Sequence, residues 1–207
     1  STVTCSGDFT TSGGLLGASC YNCDSSSAYY AKTPSFDFRT SATSYTYEAW
    51  IKPDSFAADD ARLINQSSRF IVLINSGGTD GKLRFFPNAN GYIDIEAADA
   101  GLVAGKWHHI ACTWASGGTA SVYIDGKLVG QKAITESNGA GSNIIFLGAS
   151  NSGGADEFDG YMDEVRLWSD VRTETEIRAN MFTEVAADTA GLAHQWSLNE
   201  GTGTTSE

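Results

Sequence analysis

Two pairs of acidic residues have a spacing that could support acid–base chemistry on a sugar bond. They are Asp94 with Glu96, and Glu157 with Asp159. Side chains two residues apart on a strand point to the same face, and a retaining glycosidase needs two carboxyl groups about 5 Å apart. Paired carboxylates on a polar strand face are commonly just solvated, however. We interpret both pairs as strand-edge or loop carboxylates and predict no catalytic residue.

The three histidines indicate packing rather than catalysis. His108 and His109 are adjacent, so they face opposite sides of a strand, and His194 stands alone far along the chain. The sequence has no Gly-x-Ser-x-Gly turn for a nucleophilic serine and no His-x-x-x-His pair for zinc. We therefore expect packed or hydrogen-bonded imidazoles and a protein that is not an enzyme.

The charge balance and hydropathy exclude two classes of partner. The 207 residues contain 13 Lys and Arg against 25 Asp and Glu, a formal net charge of -12, which is the wrong sign for binding a phosphate backbone. No window approaches the roughly 20 consecutive apolar residues of a membrane helix. We expect neither nucleic acid binding nor membrane insertion. The acidic balance suits solubility and also permits calcium binding on loops.

Four cysteines are present, and three of them lie near the start. They are Cys5, Cys20, Cys23 and Cys112. A Cys-x-x-Cys pair without a second matching pair does not indicate zinc. We expect a disulfide in the N-terminal segment and an oxidising compartment, with Cys112 alternatively a buried free thiol. Export is an inference, since the sequence begins at Ser1 and shows no signal peptide.

Short runs rich in β-branched and aromatic residues, separated by Gly, Asn, Asp and Ser, recur along the chain. This pattern is typical of an antiparallel sandwich or barrel. The predicted strands are 28–31, 45–52, 61–66, 70–75, 82–87, 92–96, 107–114, 120–124, 127–133, 144–148, 160–168 and 191–198. Asp125-Gly126 predicts a tight hairpin. One short surface helix is predicted at 173–182, where Thr173 and Glu176 have capping-box spacing.

Five motifs in this order resemble the laminin-G-like, concanavalin A-like jelly-roll family. They are YTYEAWIKP at 45–53, KWHHIACTW at 106–114, SVYIDGKLV at 121–129, FDGYMDEVRLW at 158–168 and RTETEI at 172–177. Five ordered motifs are far more specific than any one alone. The resemblance implies an all-β fold, a two-sheet antiparallel β-sandwich with one short surface helix. It is a fold of secreted lectins, adhesins and accessory modules of glycan-degrading enzymes.

The resemblance also implies a structural calcium ion. In this family, the Asp of the Asp-Glu-Val-Arg strand, here Asp163, commonly binds calcium together with a loop that corresponds to the region of Asp24. Asp8 and Asn199 are further candidate ligands. Related glycosidases carry a Glu-x-Asp-x-x-Glu strand, and neither acidic pair of this sequence has the third member.

The resemblance further indicates three parts of the sequence. They are an N-terminal cysteine-containing segment at 1–27, expected to pack on the sandwich, the jelly-roll domain at 28–198, and a tail at 199–207. The stretch GLAHQWSLNEGTGT at 191–204 resembles the opening of another copy of the domain. A further domain after the tail is therefore a hypothesis.

Aromatic side chains are the candidates for contact with a ligand, because a sugar stacks its apolar face on a ring. Four tryptophans fall at family core positions and are expected to pack: Trp50, Trp107, Trp114 and Trp168. Our candidate ligand-binding residues are Tyr92, Phe85 and Phe86, which do not fall at such core positions. We predict a secreted or cell-surface, non-catalytic module that recognises glycan or an extracellular protein surface. The alternatives are an assembly subunit that contacts copies of itself in a filament or surface array, and a glycan-cleaving enzyme with an unfamiliar active site.

Overall fold

The computed structural model describes residues 3–5, 9–10, 16, 20–23, 30–34, 44–56, 60–66, 70–74, 81–88, 91–135, 144–151, 156–199 and 205–206. For 3–5, 9–10, 70, 71, 73 and 205–206 it describes the backbone alone. The strands are β1 (Val3–Cys5), β2 (Phe9–Thr10), β3 (Cys20–Cys23), β4 (Ala31–Lys32), β5 (Ser44–Pro53), β6 (Ala61–Gln66), β7 (Phe70–Ile74), β8 (Lys82–Asn88), β9 (Gly91–Glu96), β10 (His108–Ala115), β11 (Gly118–Ile124), β12 (Lys127–Ile134), β13 (Phe146–Leu147), β14 (Gly160–Trp168), β15 (Leu192–Trp196) and β16 (Thr205–Ser206). The helices are α1 (Ala97–Ala100) and α2 (Glu174–Asn180).

These strands form two antiparallel sheets. Sheet I has the order β16-β1-β4-β13-β6-β7-β8-β9. Sheet II has the order β12-β11-β10-β5-β14-β3-β2, and β15 also pairs with β14. The predicted all-β, two-sheet antiparallel sandwich is confirmed.

The core lies between the two sheets and is built by strand alternation. On β5, Tyr45, Tyr47 and Ile51 point inward and are fully buried. The Tyr45 ring is 6.5 Å from the ring of Phe85 on β8 and 5.7 Å from that of Trp114 on β10, so it joins both sheets. The Tyr45 hydroxyl donates a hydrogen bond to the Pro87 carbonyl at 2.7 Å, which satisfies the polar end of this buried side chain.

The outer face of sheet II is covered in part by α2. The capping box predicted from the sequence is confirmed: the Thr173 side chain accepts from the Glu176 amide, and the Glu176 carboxylate accepts from the Thr173 amide. Ile177 packs on Ala111 and Tyr123 of the sheet. Within the described residues, no helix is long and apolar enough to cross a membrane.

The β11–β12 hairpin fixes one side of α2. Asp125 and Gly126 both have positive φ, 51° and 72°, as the predicted tight turn requires. The Arg178 Nε of α2 donates a hydrogen bond to the Gly126 carbonyl at 2.8 Å. The hairpin therefore serves as a docking point for the helix.

The predicted N-terminal disulfide is not formed among the described cysteine side chains. Cys20, Cys23 and Cys112 are all fully buried, and Cys112 is a free thiol. Cys20 and Cys23 lie on one extended strand, β3. Residues three apart on a strand are about 10 Å apart, whereas a disulfide requires Cα atoms within about 7 Å. Tyr21 and Cys23 of β3 point into the core, whereas Cys20, three residues before Cys23, lies on the opposite face of the strand.

Segments near both ends of the chain are part of the sheets. β1 pairs with β4 and with β16 in sheet I. β3 pairs with β14 in sheet II, and β2 pairs with β3. The N-terminal cysteine-containing segment therefore supplies strands to both layers, and the tail supplies β16.

Candidate functional site

An exposed aromatic ring lies at the outer side of sheet I, on the strands predicted to carry ligand-binding residues. Alternation along β8 and β9 turns Leu83, Phe85, Ile93 and Ile95 into the core. The intervening residues, Phe86 and Arg84 on β8 and Tyr92 and Asp94 on β9, therefore lie on the outer face. Together with Lys132 of β12 they form what we call the Tyr92 surface.

The Tyr92 surface combines two rings with charged groups. Tyr92 is 41% exposed, and its ring centroid is 5.3 Å from that of Phe86. The Arg84 guanidinium lies 4.2 Å from the Tyr92 centroid, and the Lys132 ammonium lies 5.2 Å from it. Such distances are typical of cation–π contacts.

Three hydrogen bonds hold these two cations in place. Arg84 donates to Asp94 through Nε at 2.6 Å and Nη2 at 2.8 Å. This hydrogen-bonded pairing raises the pKa of Arg84, which therefore stays charged. The Lys132 ammonium donates to the Tyr92 carbonyl at 2.9 Å. The surface is thus ordered before any ligand arrives.

Phe85 is wrong as a candidate ligand-binding residue. It is fully buried and packs against Tyr45. It neighbours Phe86 in sequence, and neighbours on a strand point to opposite faces. Tyr92 and Phe86 remain candidates. Arg84 and Lys132 were not predicted from the sequence. Alternation with Phe86 could have identified Arg84, whereas Lys132 comes from sheet II and no local pattern connects it to Tyr92.

The acidic pair on β9 is occupied by neighbouring cations. Asp94 binds Arg84, as described above, and Glu96 lies 3.4 Å from the Lys82 ammonium. Both carboxylates therefore have a cationic partner across the β8–β9 ladder. This arrangement fits the interpretation of the pair as strand-edge carboxylates.

Asp163, the central predicted calcium ligand, is fully buried on β14. Its Oδ1 accepts from the Glu164 amide at 2.9 Å and its Oδ2 from the Leu16 amide at 3.5 Å. Asp24 and Asp8 lie outside the described side chains. Asn199 is partly buried, and its side-chain oxygen has no hydrogen-bond partner. Calcium takes six to eight oxygens, and the described residues contain no group of three or more His, Cys, Asp or Glu that could hold a metal. Calcium binding by Asp163, Asp24 and Asn199 therefore stays a prediction.

A cluster of four ionisable side chains lies buried between sheet II and the segment that follows α2. Glu48, Glu164, Arg166 and His109 are each 1% exposed. Arg166 donates to Glu164 Oε2 at 2.8 Å and lies 3.4 Å from Glu48 Oε1. We call this set the Arg166 cluster.

The Arg166 cluster fixes the end of α2 to the sheet. Arg166 also donates to the carbonyls of Asn180 at 3.0 Å and Thr183 at 2.7 Å. Trp50 Nε1 donates to the Met181 carbonyl at 2.6 Å. Backbone carbonyls at a helix end lack partners within the helix, and these side chains provide them.

Burial dominates the titration of the Arg166 cluster. It raises the pKa of Glu48, against the opposing effects of Arg166 and of the Trp168 hydrogen bond. It lowers the pKa of His109 to about 3, with Arg166 as the second cause. His109 is therefore neutral at pH 7. Since the segment after α2 covers these groups, we interpret the cluster as structural.

A pocket of about 340 Å³ lies beside β15, at the edge of sheet II away from β12. His194, Gln195 and Ser197 contribute its polar lining. Burial lowers the pKa of His194, whose ring stacks on that of Trp196 with a centroid distance of 5.9 Å. The pocket is separate from the Tyr92 surface.

The sequence comparisons agree with this architecture. Residues 24–178 match the family model described as the concanavalin A-like lectin/glucanases superfamily. The protein belongs to this superfamily. Its membership accounts for the two-sheet sandwich and for the order of the five motifs. A search of the curated proteins found no match.

Solved structures with the superfamily fold resemble the whole chain at low identity. A Bacteroides ovatus protein provisionally assigned as carbohydrate-binding is 21% identical with a TM-score of 0.62, over 99% of this chain and 57% of that one. The receptor-binding domain of botulinum neurotoxin mosaic serotype C/D is 17% identical with a TM-score of 0.65, over 86% and 44%. The enzymatically active domain of bacteriophage CBA120 tailspike protein 2 is 13% identical with a TM-score of 0.70, over 96% and 33%. The chain thus spans about half or less of each structure, and the likeness establishes the fold alone.

Proposed function

We propose that this protein is a non-catalytic carbohydrate-recognition module and that the Tyr92 surface contacts the sugar. The observation that carries the proposal is the exposed Tyr92 ring held beside Arg84 and Lys132. A sugar presents an apolar face that packs on a ring and hydroxyls that need directed hydrogen bonds. Arg84 and Lys132 supply donors, and Asp94 supplies acceptors.

The comparisons support this proposal through what the related proteins are said to do. The Bacteroides ovatus protein is provisionally assigned as carbohydrate-binding, and a further neighbour is a botulinum neurotoxin binding domain in complex with a molecule designated SialylT. We extend glycan recognition to this chain on the basis of the Tyr92 surface. An extracellular or cell-surface location is part of the same proposal.

Removing the Tyr92 ring tests the proposed function. We expect Tyr92→Ala to weaken binding about tenfold, because an aromatic contact contributes about 0.5 to 1.5 kcal/mol in addition to the effect of the apolar area that it buries. A glycan array identifies the tightest ligand, and titration calorimetry with that ligand then compares the variants. Tyr92→Phe keeps the ring and should stay within about threefold of wild type. Val171→Ala, at an exposed apolar residue elsewhere, is the control. An unchanged dissociation constant in Tyr92→Ala would contradict the proposal.

Calcium binding by Asp163 stays a prediction from the sequence, and thermal unfolding tests it. A ligand that binds the native state alone raises stability by about 2.7 kcal/mol at 100 times its dissociation constant. If the ion binds, calcium should raise the melting temperature reversibly, chelator should lower it, and Asp163→Asn should remove most of the difference. Identical melting curves in calcium and in chelator would refute the prediction.

The two alternatives from the sequence also stay predictions. An assembly subunit would show concentration-dependent association in sedimentation velocity. A glycan-cleaving enzyme would release reducing ends from the glycans identified on the array. Either result would replace the proposed function.

A further inference from the structure

A second aromatic surface crosses the outer face of sheet II, near the start of β14. The register pairs Tyr161 of β14 with Lys52 of β5 on one side and with Asn22 of β3 on the other. The Lys52 ammonium lies 4.0 Å from the ring centroid of Tyr161 and 5.7 Å from that of Trp107. All four side chains are partly exposed. We call this set the Trp107 row. Trp107 was expected to be a core residue, yet it stands at the open end of this face.

Two carboxylates lie one step further along the same face. Asp54 comes directly after Pro53, and Asp159 comes directly before Gly160, the residue that pairs with Pro53. The Asp54 amide donates to the Asp159 carbonyl at 2.9 Å. The pKa of Asp54 is raised mainly by burial and secondly by the negative charge of Asp159. Asp54 is two residues from Lys52 and Asp159 is two residues from Tyr161, so alternation places both carboxylates on the face of the Trp107 row.

The polar groups of this surface are available to a ligand. Within the part of the chain that the structure describes, the Trp107 indole, the Tyr161 hydroxyl, the Asn22 amide and both carboxylates make no side-chain hydrogen bond, and Lys52 has no ion pair. Each would gain a partner from a ligand that offers both donors and acceptors. The set contains hydrogen-bond donors, acceptors and two aromatic rings within one patch.

We propose that the Trp107 row, together with Asp54 and Asp159, is a binding site for a neutral saccharide. Hydroxyl groups both donate and accept, so they match carboxylates beside an amide, an indole and an ammonium. The exposed parts of the Trp107 and Tyr161 rings suit the apolar face of a sugar. Two carboxylates against one ammonium disfavour an anionic ligand.

This site is distinct from the Tyr92 surface. The Trp107 row lies on the outer face of sheet II, while Tyr92 lies on β9, the last strand of sheet I. A domain with both sites binds two sugar chains at once. The inference goes beyond the proposed function and does not depend on it.

Saturation-transfer NMR on the intact chain tests the site. The probes are methyl α-D-glucopyranoside, methyl β-D-galactopyranoside and methyl α-D-mannopyranoside, with methyl β-D-glucuronide as the anionic comparison. We expect transfer to at least one neutral probe, and none or weaker transfer to the glucuronide. Trp107→Ala and Asp159→Asn should each weaken that binding at least tenfold. Each comparison is repeated in the Tyr92→Ala background. Transfer that persists there, and that Trp107→Ala or Asp159→Asn then removes, reports the Trp107 row and not the Tyr92 surface.

The paired variants also control for folding. Asp159→Asn keeps the size of the side chain and the backbone carbonyl that Asp54 uses, so it tests the site even if Trp107→Ala does not fold. Circular dichroism confirms that each variant is folded. The inference is overturned if no neutral probe shows transfer, if folded Asp159→Asn binds like wild type, or if Tyr92→Ala alone removes binding.

Discussion

Replacing Arg166 by methionine is expected to destabilise the protein by about 3 to 5 kcal/mol at pH 7, the usual cost of removing one partner from a buried ion pair. The change leaves Glu48 and Glu164, each 1% exposed, without their cation. It also removes the donors to the carbonyls of Asn180 and Thr183. Urea unfolding followed by tryptophan fluorescence measures the difference.

A surface ion pair provides the matched control. Arg62 lies 3.4 Å from Asp156, whose side chain is 38% exposed. Exposed pairs contribute about 0 to 1 kcal/mol, so Arg62→Met should change stability by no more than that. If Arg166→Met and Arg62→Met proved equally mild, the Arg166 cluster would not fix α2 to the sheet.

A double variant separates two contributions to the destabilisation: the loss of the ion-pair attraction and the cost of burying an unpaired carboxylate. Neutralising Glu48 beside the missing cation, in Glu48→Gln with Arg166→Met, removes one uncompensated carboxylate. Buried ion pairs replaced as a unit often cost little, because the desolvation penalty is removed with them. We therefore expect the double variant to be more stable than Arg166→Met alone.

Local patterns were sufficient to predict most of the fold. Alternating apolar residues gave β6 and β14 with the bounds that the structure has. The hairpin at Asp125-Gly126 and the capping box of α2 were predictable because each depends on residues within four positions of one another.

Features that depend on distant residues were not predictable. Glu48 and Arg166 are 118 positions apart and meet through the β5–β14 ladder. A bulge interrupts β14 between Asp163 and Arg166, and Glu164 within it has a φ of 50°. Because of the bulge, Asp163 and Arg166 both lie on the outer face although they are three positions apart. No local sequence pattern predicts the extra residue that the bulge inserts into the strand.

The candidate ligand surfaces show the same division. Tyr92 and Phe86 could be identified as uncommitted aromatics, but Phe85 was wrong because a shift of one residue reverses the face of a strand. Lys132 reaches Tyr92 from the neighbouring sheet, and the Trp107 row joins side chains of β5, β14 and β3 with the loop before β10. Cross-strand register is set by the whole sandwich, so these sets become visible in three dimensions alone.

Lowering the pH from 7 to 4 is expected to destabilise the protein through His109. In the folded state its pKa is about 3, compared with an ordinary value of 6.5. Burial is the main cause of this lowering, and the charge of Arg166 is the second. Between these values the unfolded chain binds a proton that the folded chain does not, so stability falls as pH falls. The slope is about 1.4 kcal/mol per pH unit, and the His109 contribution at pH 4 is therefore about 3 kcal/mol.

The carboxylates of the Arg166 cluster act in the opposite direction. Burial raises the pKa of both Glu48 and Glu164, so the folded state takes up their protons at a higher pH than the unfolded state does. That uptake stabilises the folded protein as pH falls through the raised values. The change in the free energy of unfolding of wild type between pH 7 and pH 4 therefore combines a loss due to His109 with a gain due to the two carboxylates.

A substitution at His109 isolates the histidine effect. His109→Phe keeps a ring next to Trp50, whose ring lies 5.3 Å away, and removes the titrating group. The free energy of unfolding is measured in urea at pH 7, 6, 5 and 4 for both proteins. Between pH 7 and pH 4, wild type should lose about 3 kcal/mol more of this free energy than His109→Phe does. Parallel profiles would mean that His109 is protonated in the folded protein. In that case the short distance from His109 Nε2 to Glu48 Oε2, 3.7 Å, would mark a buried ion pair, and His109 would count among the cations that hold Glu48 in place.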